Sequence, residues 1–164
     1  MKKKIHLSSG IFLKNKKFKK NKYYHFFSLF DYAIIMPVLK NNKFLVISQK
    51  RIPINQNNFE FPAGLVDKNE TPVETAKREL FEETGYKNTK SLKKIVEFYP
   101  DPGRISNKAT GFFAKNLKKI SKPEKGIKLF FFSKSEIINL IKKKKFNNAH
   151  HIAVFYKYLY DNKK

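Results

Sequence analysis

The chain has 164 residues, with 36 Lys and Arg against 13 Asp and Glu, which gives a formal net charge of +23. This length fits one domain with a substantial hydrophobic core, and 41% of the residues are apolar. Because the chain has no cysteine, disulfides, thiol catalysis and thiolate metal sites are excluded.

No apolar run approaches the length needed to cross a membrane, and residues 1–22 lack the long apolar segment of a secretory signal. We therefore expect a soluble cytoplasmic protein with no membrane partner. The positive charge favours anionic partners through long-range steering, but it does not distinguish nucleotides from RNA, so nucleic acid stays open as a partner. A genome-wide bias toward Lys, Asn, Ile and Phe explains the charge equally well.

The first thirty residues form a basic segment, because the first acidic residue of the chain is Asp31. We expect this segment, residues 1–30, to be a frayed arm or to supply edge strands to a partner. Residues 31–164 contain no internal repeat and no boundary that would divide them. Strand and helix patterns mix along this region, which predicts one compact α/β (α+β) domain.

Strands are predicted where short apolar or alternating runs lie between turn residues. The first two are expected to pair as a hairpin through the turn Lys40–Asn42. The predicted strands are 31–39, 43–49, 59–61, 92–99, 110–117 and 127–132.

Two helices are predicted in the C-terminal part. Ser133 and Glu136 form a capping box, which opens a helix through Ile141. A last helix spans about 148–160. His150 and His151 lie near its start, and adjacent helical residues point in different directions. Solvent exposure or partial burial of these histidines is therefore favoured over a metal site.

A third helix is predicted between Thr71 and Gly85. Thr71, Pro72 and Glu74 form a capping box with proline in the first turn, and Gly85 sits where a left-handed C-cap is expected. Apolar and small residues recur at spacings of three and four and give the helix an inward face. They are Val73, Ala76, Leu80 and Thr84.

Three carboxylates cluster on another face of this helix: Glu79, Glu82 and Glu83. Their mutual repulsion costs a free helix about 0.2–0.5 kcal/mol per pair, so the cluster does not serve stability by itself. A divalent cation bound between these carboxylates would make the cluster favourable instead of repulsive. Hard oxygen ligands of this kind suit Mg²⁺ or Mn²⁺. Arg78 could hold one carboxylate by a bidentate pair. Taken alone, however, a Glu-rich helix with one arginine is also typical of a solvated face.

The stretch 60–86 resembles the Nudix box, G-x5-E-x7-R-E-U-x-E-E-x-G-U, in which U is a bulky apolar residue. Every fixed position matches, and only the final U departs slightly, since it is Tyr86 instead of an aliphatic residue. The joint match over one window favours a functional site over a solvated face. The fixed positions are Gly64, Glu70, Arg78, Glu79, Glu82, Glu83 and Gly85.

Other features resemble the ADP-ribose pyrophosphatase branch of the Nudix hydrolases: the strand and turn Glu60–Gly64, the segment Gln49–Arg51, and Pro102 sixteen residues beyond the box. The resemblance implies a Nudix fold, with a mixed sheet between helices and a loop–helix–loop box. It also implies Mg²⁺- or Mn²⁺-dependent hydrolysis of a nucleoside diphosphate linked to another moiety. For this branch the favoured reaction is ADP-ribose to AMP and ribose 5-phosphate, commonly by a homodimer with crossed N-terminal strands.

Carried over to this chain, the resemblance makes Glu79 and Glu83 metal ligands and Glu82 a further ligand, with the backbone carbonyl of Ala63 completing the shell. The same three glutamates are the catalytic candidates. The cations would neutralise the diphosphate and make a water molecule acidic enough to attack phosphorus at neutral pH.

The remaining candidates bind substrate or hold the box together. Arg51 is either a surface arginine or a contact to phosphate or adenine. The substrate-binding candidates are Arg51, Glu60 and Arg104. The structural candidates, which tie the box loop to the helix, are Gly64, Glu70, Arg78 and Gly85.

One loop departs from the branch pattern. ADP-ribose pyrophosphatases commonly carry an acid a few positions after the proline–glycine turn, whereas residues 104–110 contain none. Either the metal and the box glutamates suffice, or Glu97 or Asp101 acts as the base, or the substrate differs. Arg104 and Lys108 make the loop cationic, which would suit an extra phosphate.

Two other functions remain possible from the residues. An RNA 5′-end pyrophosphohydrolase or RNA-binding protein would use the basic segment and show salt-sensitive RNA binding. A non-catalytic nucleotide sensor would not need the full set of box acids, which argues against it. The leaving moiety, the general base and the oligomeric state stay open.

Overall fold

A computed structural model of the protein describes residues 4–8, 11–19 and 22–162. The strands are β1 Lys4–Ser8, β2 Ile11–Lys19, β3 Lys22–Ser28, β4 Tyr32–Pro37, β5 Phe44–Arg51, β6 Gln56–Glu60, β7 Ala63–Leu65, β8 Tyr86–Asn88, β9 Lys93–Phe98, β10 Ala109–Ala114, β11 Leu117–Lys119 and β12 Lys128–Phe132. The helices are α1 Pro72–Thr84, α2 Lys134–Lys142 and α3 Ala149–Asp161, with a 3₁₀ turn at Ile52–Ile54.

A four-stranded sheet, ordered β7-β4-β10-β9, forms the centre of the fold. Strand β4 runs parallel to β10 and antiparallel to β7. Ala33 and Ile35 face a core that includes residues of α1, whereas Ile34 and Met36 face a core that includes residues of α2 and α3. Because β4 is buried on both faces, its sequence is a continuous apolar run. This arrangement confirms the expected mixed sheet between helices.

The described part of the basic segment is a three-stranded antiparallel sheet, ordered β1-β2-β3. It joins the rest of the chain at Phe27, whose N–H donates to the Arg104 carbonyl and whose carbonyl accepts from the Ser106 N–H. Apolar side chains remain exposed on this sheet: Ile5, Leu7, Ile11, Tyr23, Tyr24 and Phe27.

The hairpin predicted around Lys40–Asn42 is confirmed at its turn, but the two strands do not pair along their length. The turn exists, but β4 lies in the central sheet and β5 lies in a separate sheet ordered β12-β5-β6. Only one isolated bridge, between Val38 and Phe44, links them. The physical reason is that β10 pairs along one edge of β4 and β7 pairs with Tyr32–Ile34 on the other, so β5 meets this part of the chain only beyond the end of β4, at Val38. A pair of short strands, β8 and β11, was not predicted.

The helix starts follow the sequence signals. Thr71 and Glu74 make the reciprocal capping box that opens α1, and Ser133 and Glu136 do the same for α2. Gly85 ends α1 with a φ of 70° and donates its N–H to the Phe81 carbonyl. No helix in the described ranges is long and apolar enough to cross a membrane.

His151 lies deeper than predicted. His150 is half-buried as expected, but His151 is fully buried, so the expectation of exposure or partial burial is wrong for this residue. The reason is helical spacing, because His151 lies four residues before the buried Phe155 on the face of α3 that packs on the core. Its ring is held by the Phe61 N–H and the Tyr32 hydroxyl.

Candidate metal and substrate site

A cavity of about 620 Å³ opens beside the turn that carries Ala63 and Gly64. Its volume is typical of small-molecule sites. The other lining residues are Tyr32, Arg51, Pro53, Ile54, Asn58, Glu60, Leu65, Asn147 and Asn148. A second cavity, of about 600 Å³, lies between the N-terminal sheet and residues 99–106. We place the candidate site in the first cavity, since that one contains the box turn.

Glu83 joins the end of α1 to the box turn. One carboxylate oxygen accepts from the Ala63 N–H at 2.9 Å, and the other accepts from the Gln49 side-chain amide at 3.1 Å. Glu83 is only 6% exposed. Burial raises the pKa of Glu83 to about 7, and the neighbouring Glu79 carboxylate adds to this rise, although the two hydrogen bonds oppose it.

Glu79 reaches the same turn because residue 64 has no side chain. A Cβ atom on Gly64 would lie 2.0 Å from Oε1 of Glu79, which is far closer than two such atoms can approach. Burial raises the pKa of Glu79, while the nearby Arg78 guanidinium acts in the opposite direction. The fold therefore packs two carboxylates against one turn, in a setting that disfavours their negative charge.

These donors fit a divalent cation. Buried carboxylates with raised pKa values gain most from a nearby positive charge, and their oxygens suit Mg²⁺ or Mn²⁺. Within the described residues, no three acidic or histidine side chains converge into a closed metal site.

Arg78 connects the box loop with the helix acids. Its Nε and Nη2 donate to the two oxygens of Glu70 at 2.9 and 3.0 Å. Its Nη1 donates to Glu79 at 2.7 Å and to Glu82 at 3.0 Å. The side chain of Glu82 is 49% exposed. The structure thus brings Glu79 and Glu83 to the turn, whereas Glu82 is half-exposed in an ion pair with Arg78.

Arg51 and Glu60 meet in the cavity wall. Arg51 donates to both carboxylate oxygens of Glu60, and the Asn58 amide donates to the same carboxylate at 2.9 Å. Burial acts to raise the pKa of Glu60 and is the largest single influence, but the hydrogen bonds from Arg51 and Asn58 and the nearby positive charge together outweigh it, so the pKa lies below its ordinary value. The Glu60 side chain is 1% exposed and that of Arg51 is 37% exposed. Glu60 therefore orients Arg51, which is the member of the pair that can reach a ligand.

The loop candidates lie away from this cavity. The Arg104 side chain is 84% exposed and, like Asp101, does not line the cavity among the residues described. Glu97 forms ion pairs with Lys94 and Lys108. One row of paired residues crosses the four strands of the central sheet, and it contains Glu97, Thr110, Ala33 and Gly64. Three strand spacings separate Glu97 from Gly64, which is about 14 Å.

Several lining residues were not found from the sequence. They come from three separate segments, and no spacing rule connects those segments, so only the packing of α3 and β6 against β4 brings them together. These residues are Tyr32, Asn58, Asn147 and Asn148. The apolar pattern of residues 31–39 placed Tyr32 in a strand, but it did not indicate that Tyr32 lines a cavity.

The sequence profile of the NUDIX domain matches residues 29–155. The chain is 40% identical over 83 residues to the ADP-ribose pyrophosphatase of Bacillus subtilis (strain 168), an alignment that covers 51% of this chain and 44% of that protein. It is 36% identical over 88 residues to the ADP-sugar pyrophosphatase of Mus musculus, covering 49% and 38% of the two chains. The chain thus spans less than half the length of these curated relatives.

Among solved structures, a crystal structure of an ADP compounds hydrolase superimposes with a TM-score of 0.80. The alignment covers 99% of this chain and 92% of that one, at 18% sequence identity. At this identity the likeness shows a common fold, and it confirms the fold expected from the box.

Proposed function

The chain belongs to the NUDIX family, and from this premise we propose that it hydrolyses a nucleoside diphosphate linked to another moiety. The preferred substrate is ADP-ribose or a related nucleotide sugar, and ADP-ribose is cleaved to AMP and ribose 5-phosphate. The observation that carries the proposal is a single cavity lined by Arg51 and by the turn at Ala63 and Gly64. The two buried carboxylates of the box pack against that turn.

Glu79 and Glu83 would be the principal ligands of Mg²⁺ or Mn²⁺, with Glu82 and the Ala63 carbonyl as further ligands. Such a cation would neutralise charge on the diphosphate and lower the pKa of the attacking water. The chain itself supplies the placement of the ligands. Arg78 holds Glu79, and the hydrogen bonds from Ala63 and Gln49 hold both oxygens of Glu83.

Arg51 binds the nucleotide in this proposal. Glu60 and Asn58 fix the guanidinium from behind, which reduces the side-chain freedom that a ligand would otherwise have to restrict. Arg51 brings positive charge to the cavity wall, where it favours an anionic ligand. Arg104 is 84% exposed on a loop away from the cavity and would meet only a part of the substrate that extends well beyond it.

The box glutamates, not the loop acids, accept the proton of the attacking water. Glu97 is about 14 Å from Gly64 by strand spacing and is neutralised by two lysines. Asp101 lies in the exposed turn beside Arg104. Glu79 and Glu83 are the acids that pack against the turn beside the cavity.

The enzyme is a cytoplasmic homodimer in this proposal. A chain without cysteine suits a reducing compartment. The N-terminal sheet exposes several large apolar side chains, and such exposed patches are typical of protein interfaces. Association through this sheet would cover them.

The deciding experiment incubates the purified protein with Mg²⁺ and a panel of substrates, and follows products by chromatography. The panel holds ADP-ribose, ADP-sugars, other sugar nucleotides, dinucleotides, and capped or triphosphorylated RNA. We expect AMP and ribose 5-phosphate from ADP-ribose. If ADP-ribose is untouched while another diphosphate is cleaved, the substrate is wrong and the reaction class stands.

Glu83→Gln and Glu97→Gln are matched variants for this assay. We expect Glu83→Gln to lower kcat by at least about 100-fold, because it removes a charged ligand from the box. Glu97→Gln should keep near-normal turnover. If Glu97→Gln lowered kcat more than Glu83→Gln did, Glu97 would be the proton acceptor instead of a box glutamate.

RNA 5′ ends are the second candidate substrate. The specific observation is the second cavity, where Lys16 and Lys17 lie beside the aromatic rings of Tyr24, Phe26 and Tyr99. Cations next to aromatic rings suit single-stranded nucleic acid, whose bases stack and whose phosphates pair with lysine. Rapid cleavage of triphosphorylated RNA, with affinity falling steeply as salt rises, would favour this candidate.

A further inference from the structure

We propose that Tyr32 contacts the substrate directly, and that its hydroxyl donates a hydrogen bond to an acceptor atom of the nucleotide in the cavity beside Arg51. This inference rests on the proposed function and names one further residue that decides which ligand the site accepts. Its support is a chain of hydrogen bonds from Phe61 through His151 to Tyr32.

The backbone of Phe61 and the side chains of His151 and Tyr32 are linked in this order by two hydrogen bonds. Tyr32 starts β4 and lines the cavity. Its hydroxyl oxygen is 3.1 Å from Nε2 of His151, which is fully buried on α3. On the other side of the ring, Nδ1 of His151 is 3.0 Å from the backbone nitrogen of Phe61.

The backbone N–H sets the direction of these hydrogen bonds. The Phe61 N–H can only donate, so Nδ1 of His151 must accept and cannot carry a proton. A neutral imidazole then carries its proton on Nε2, and this N–H donates to the Tyr32 oxygen. The Tyr32 hydroxyl is therefore an acceptor toward His151, and its own hydrogen remains available for another partner.

No acceptor in the described part of the chain takes that hydrogen. The only hydrogen bond that Tyr32 makes there through its hydroxyl is the one with His151. A hydroxyl in a cavity wall that already accepts one bond has a donor to offer. Because Tyr32 lines the cavity, the remaining direction is toward a ligand.

Both side chains keep these protonation states near neutral pH. A second proton on His151 would face the Phe61 N–H and would place an unpaired charge in the core. Burial lowers the pKa of His151 to about 4. Burial also raises the pKa of Tyr32, and the nearby Glu60 carboxylate adds to the rise. The hydroxyl thus stays protonated and remains a donor.

The wall around Tyr32 suits an acceptor-rich ligand. Arg51, Asn147 and Asn148 also line this cavity, and guanidinium and amide NH₂ groups are hydrogen-bond donors. Phosphate oxygens, ribose oxygens and base ring nitrogens are all acceptors, so the AMP half of the proposed substrate offers partners for each of these groups. A ligand without an acceptor at this position would leave the Tyr32 hydroxyl unpaired, which costs binding energy.

The test measures binding of AMP, the proposed product, by calorimetry in Mg²⁺, together with KM and kcat for the substrate that the panel identifies. We expect Tyr32→Phe to raise the AMP Kd and the KM about 10-fold, the loss expected for one hydrogen bond, with kcat changed less than 2-fold. Tyr156→Phe, which alters an exposed tyrosine on α3, is the matched control and should leave both constants unchanged.

The variant His151→Gln tests whether the direction of the hydrogen bonds at this position matters more than the shape of the histidine ring. His151→Gln can turn its amide oxygen toward the Phe61 N–H and its amide NH₂ toward Tyr32, so the donor direction is kept. We expect this variant to hold the AMP Kd within about 3-fold of the wild type. ¹⁵N NMR of the wild-type histidine ring should show the proton on Nε2, a result that does not depend on any variant folding.

The outcomes separate the two proposals. An unchanged AMP Kd and KM in folded Tyr32→Phe, or a proton found on Nδ1 of His151, overturns the role of Tyr32 while the hydrolase activity stands. A wild-type protein that neither binds nor cleaves any nucleotide overturns the proposed function and, with it, this inference.

Discussion

The carboxylate of Glu83 accepts a hydrogen bond from the backbone N–H of Ala63 at 2.9 Å, which ties the last turn of α1 to the turn entering the box. Glu83 is also buried, and burial makes its negative charge unfavourable although this hydrogen bond favours the charged form. The free energy of unfolding should therefore depend on pH through Glu83.

The stability of the metal-free protein should fall as pH rises from about 5 to 8. The pKa of Glu83 rises from its ordinary 4.5 to about 7 in the folded protein, so the folded state binds a proton more tightly than the unfolded state. Above pH 7 both states are deprotonated, and the stability contributed by the tighter proton binding is lost. The largest difference is about 3 kcal/mol.

Urea unfolding in EDTA at several pH values measures this effect. Glu83→Gln should remove it, so the difference in free energy of unfolding between wild type and variant should change with pH in the stated window. Subtracting the two curves cancels other titrating groups, including His151. A difference that stays constant from pH 5 to pH 8 would show that Glu83 has an ordinary pKa.

Gly64→Ala should impair activity far more than stability. The added Cβ would lie 2.0 Å from Oε1 of Glu79, so this carboxylate must move away from the turn. We expect kcat to fall at least about 10-fold, since small displacements of catalytic groups are costly. Gly103→Ala is the control, because its Cβ would meet the nearest atom at an ordinary 3.5 Å. Equal turnover in both alanine variants would contradict the packing of Glu79 on the turn.

Arg78→Ala should destabilise the protein and loosen the box. Arg78 donates to Glu70, Glu79 and Glu82, and its loss leaves these acids without their shared partner. We expect the free energy of unfolding to fall by about 1–3 kcal/mol, as for the loss of charged hydrogen bonds. Lys77→Ala, on the exposed side of the same helix, should change it by less than about 0.5 kcal/mol. Chemical denaturation of both variants makes the comparison.

Gly85→Ala should cost more than Gly126→Ala. Both glycines have positive φ, 70° and 94°, so each alanine brings a conformational penalty of about 1 kcal/mol. At Gly85 the Cβ would also lie 2.1 Å from the Ser121 carbonyl oxygen, whereas at Gly126 nothing lies within 4 Å. The difference between the melting temperatures of the two variants measures the destabilisation caused by the steric clash at Gly85. Similar melting temperatures would show that the backbone near Ser121 moves aside at little cost.

Local signals predicted the box helix well. The caps at Thr71 and Gly85 depend on residues within three or four positions of each other, so they can be recognised without knowing the fold. The ion pair between Arg78 and Glu82 follows similarly, since these residues are four positions apart on the helix. For the same reason the capped start of α2 at Ser133 was found.

Strand pairing and burial were harder to predict. The turn at Lys40–Asn42 was found, but the two strands beside it do not pair along their length, because β4 pairs with strands distant in sequence, β7 and β10. The burial of His151 depends on where α3 packs, and the contact between Arg51 and Glu60 depends on the register of β5 against β6. None of these relations is encoded in the spacing of neighbouring residues.

By itself the sequence determined the family and the acidic helix, because these follow from residues a few positions apart on one helix and its loop. Only the tertiary structure decided which residues share the cavity. It placed Arg51, Tyr32 and the box turn around one space and left Glu97 three strands away. The physical reason is that a cavity forms where elements distant in the chain pack together, and that packing is a property of the whole core.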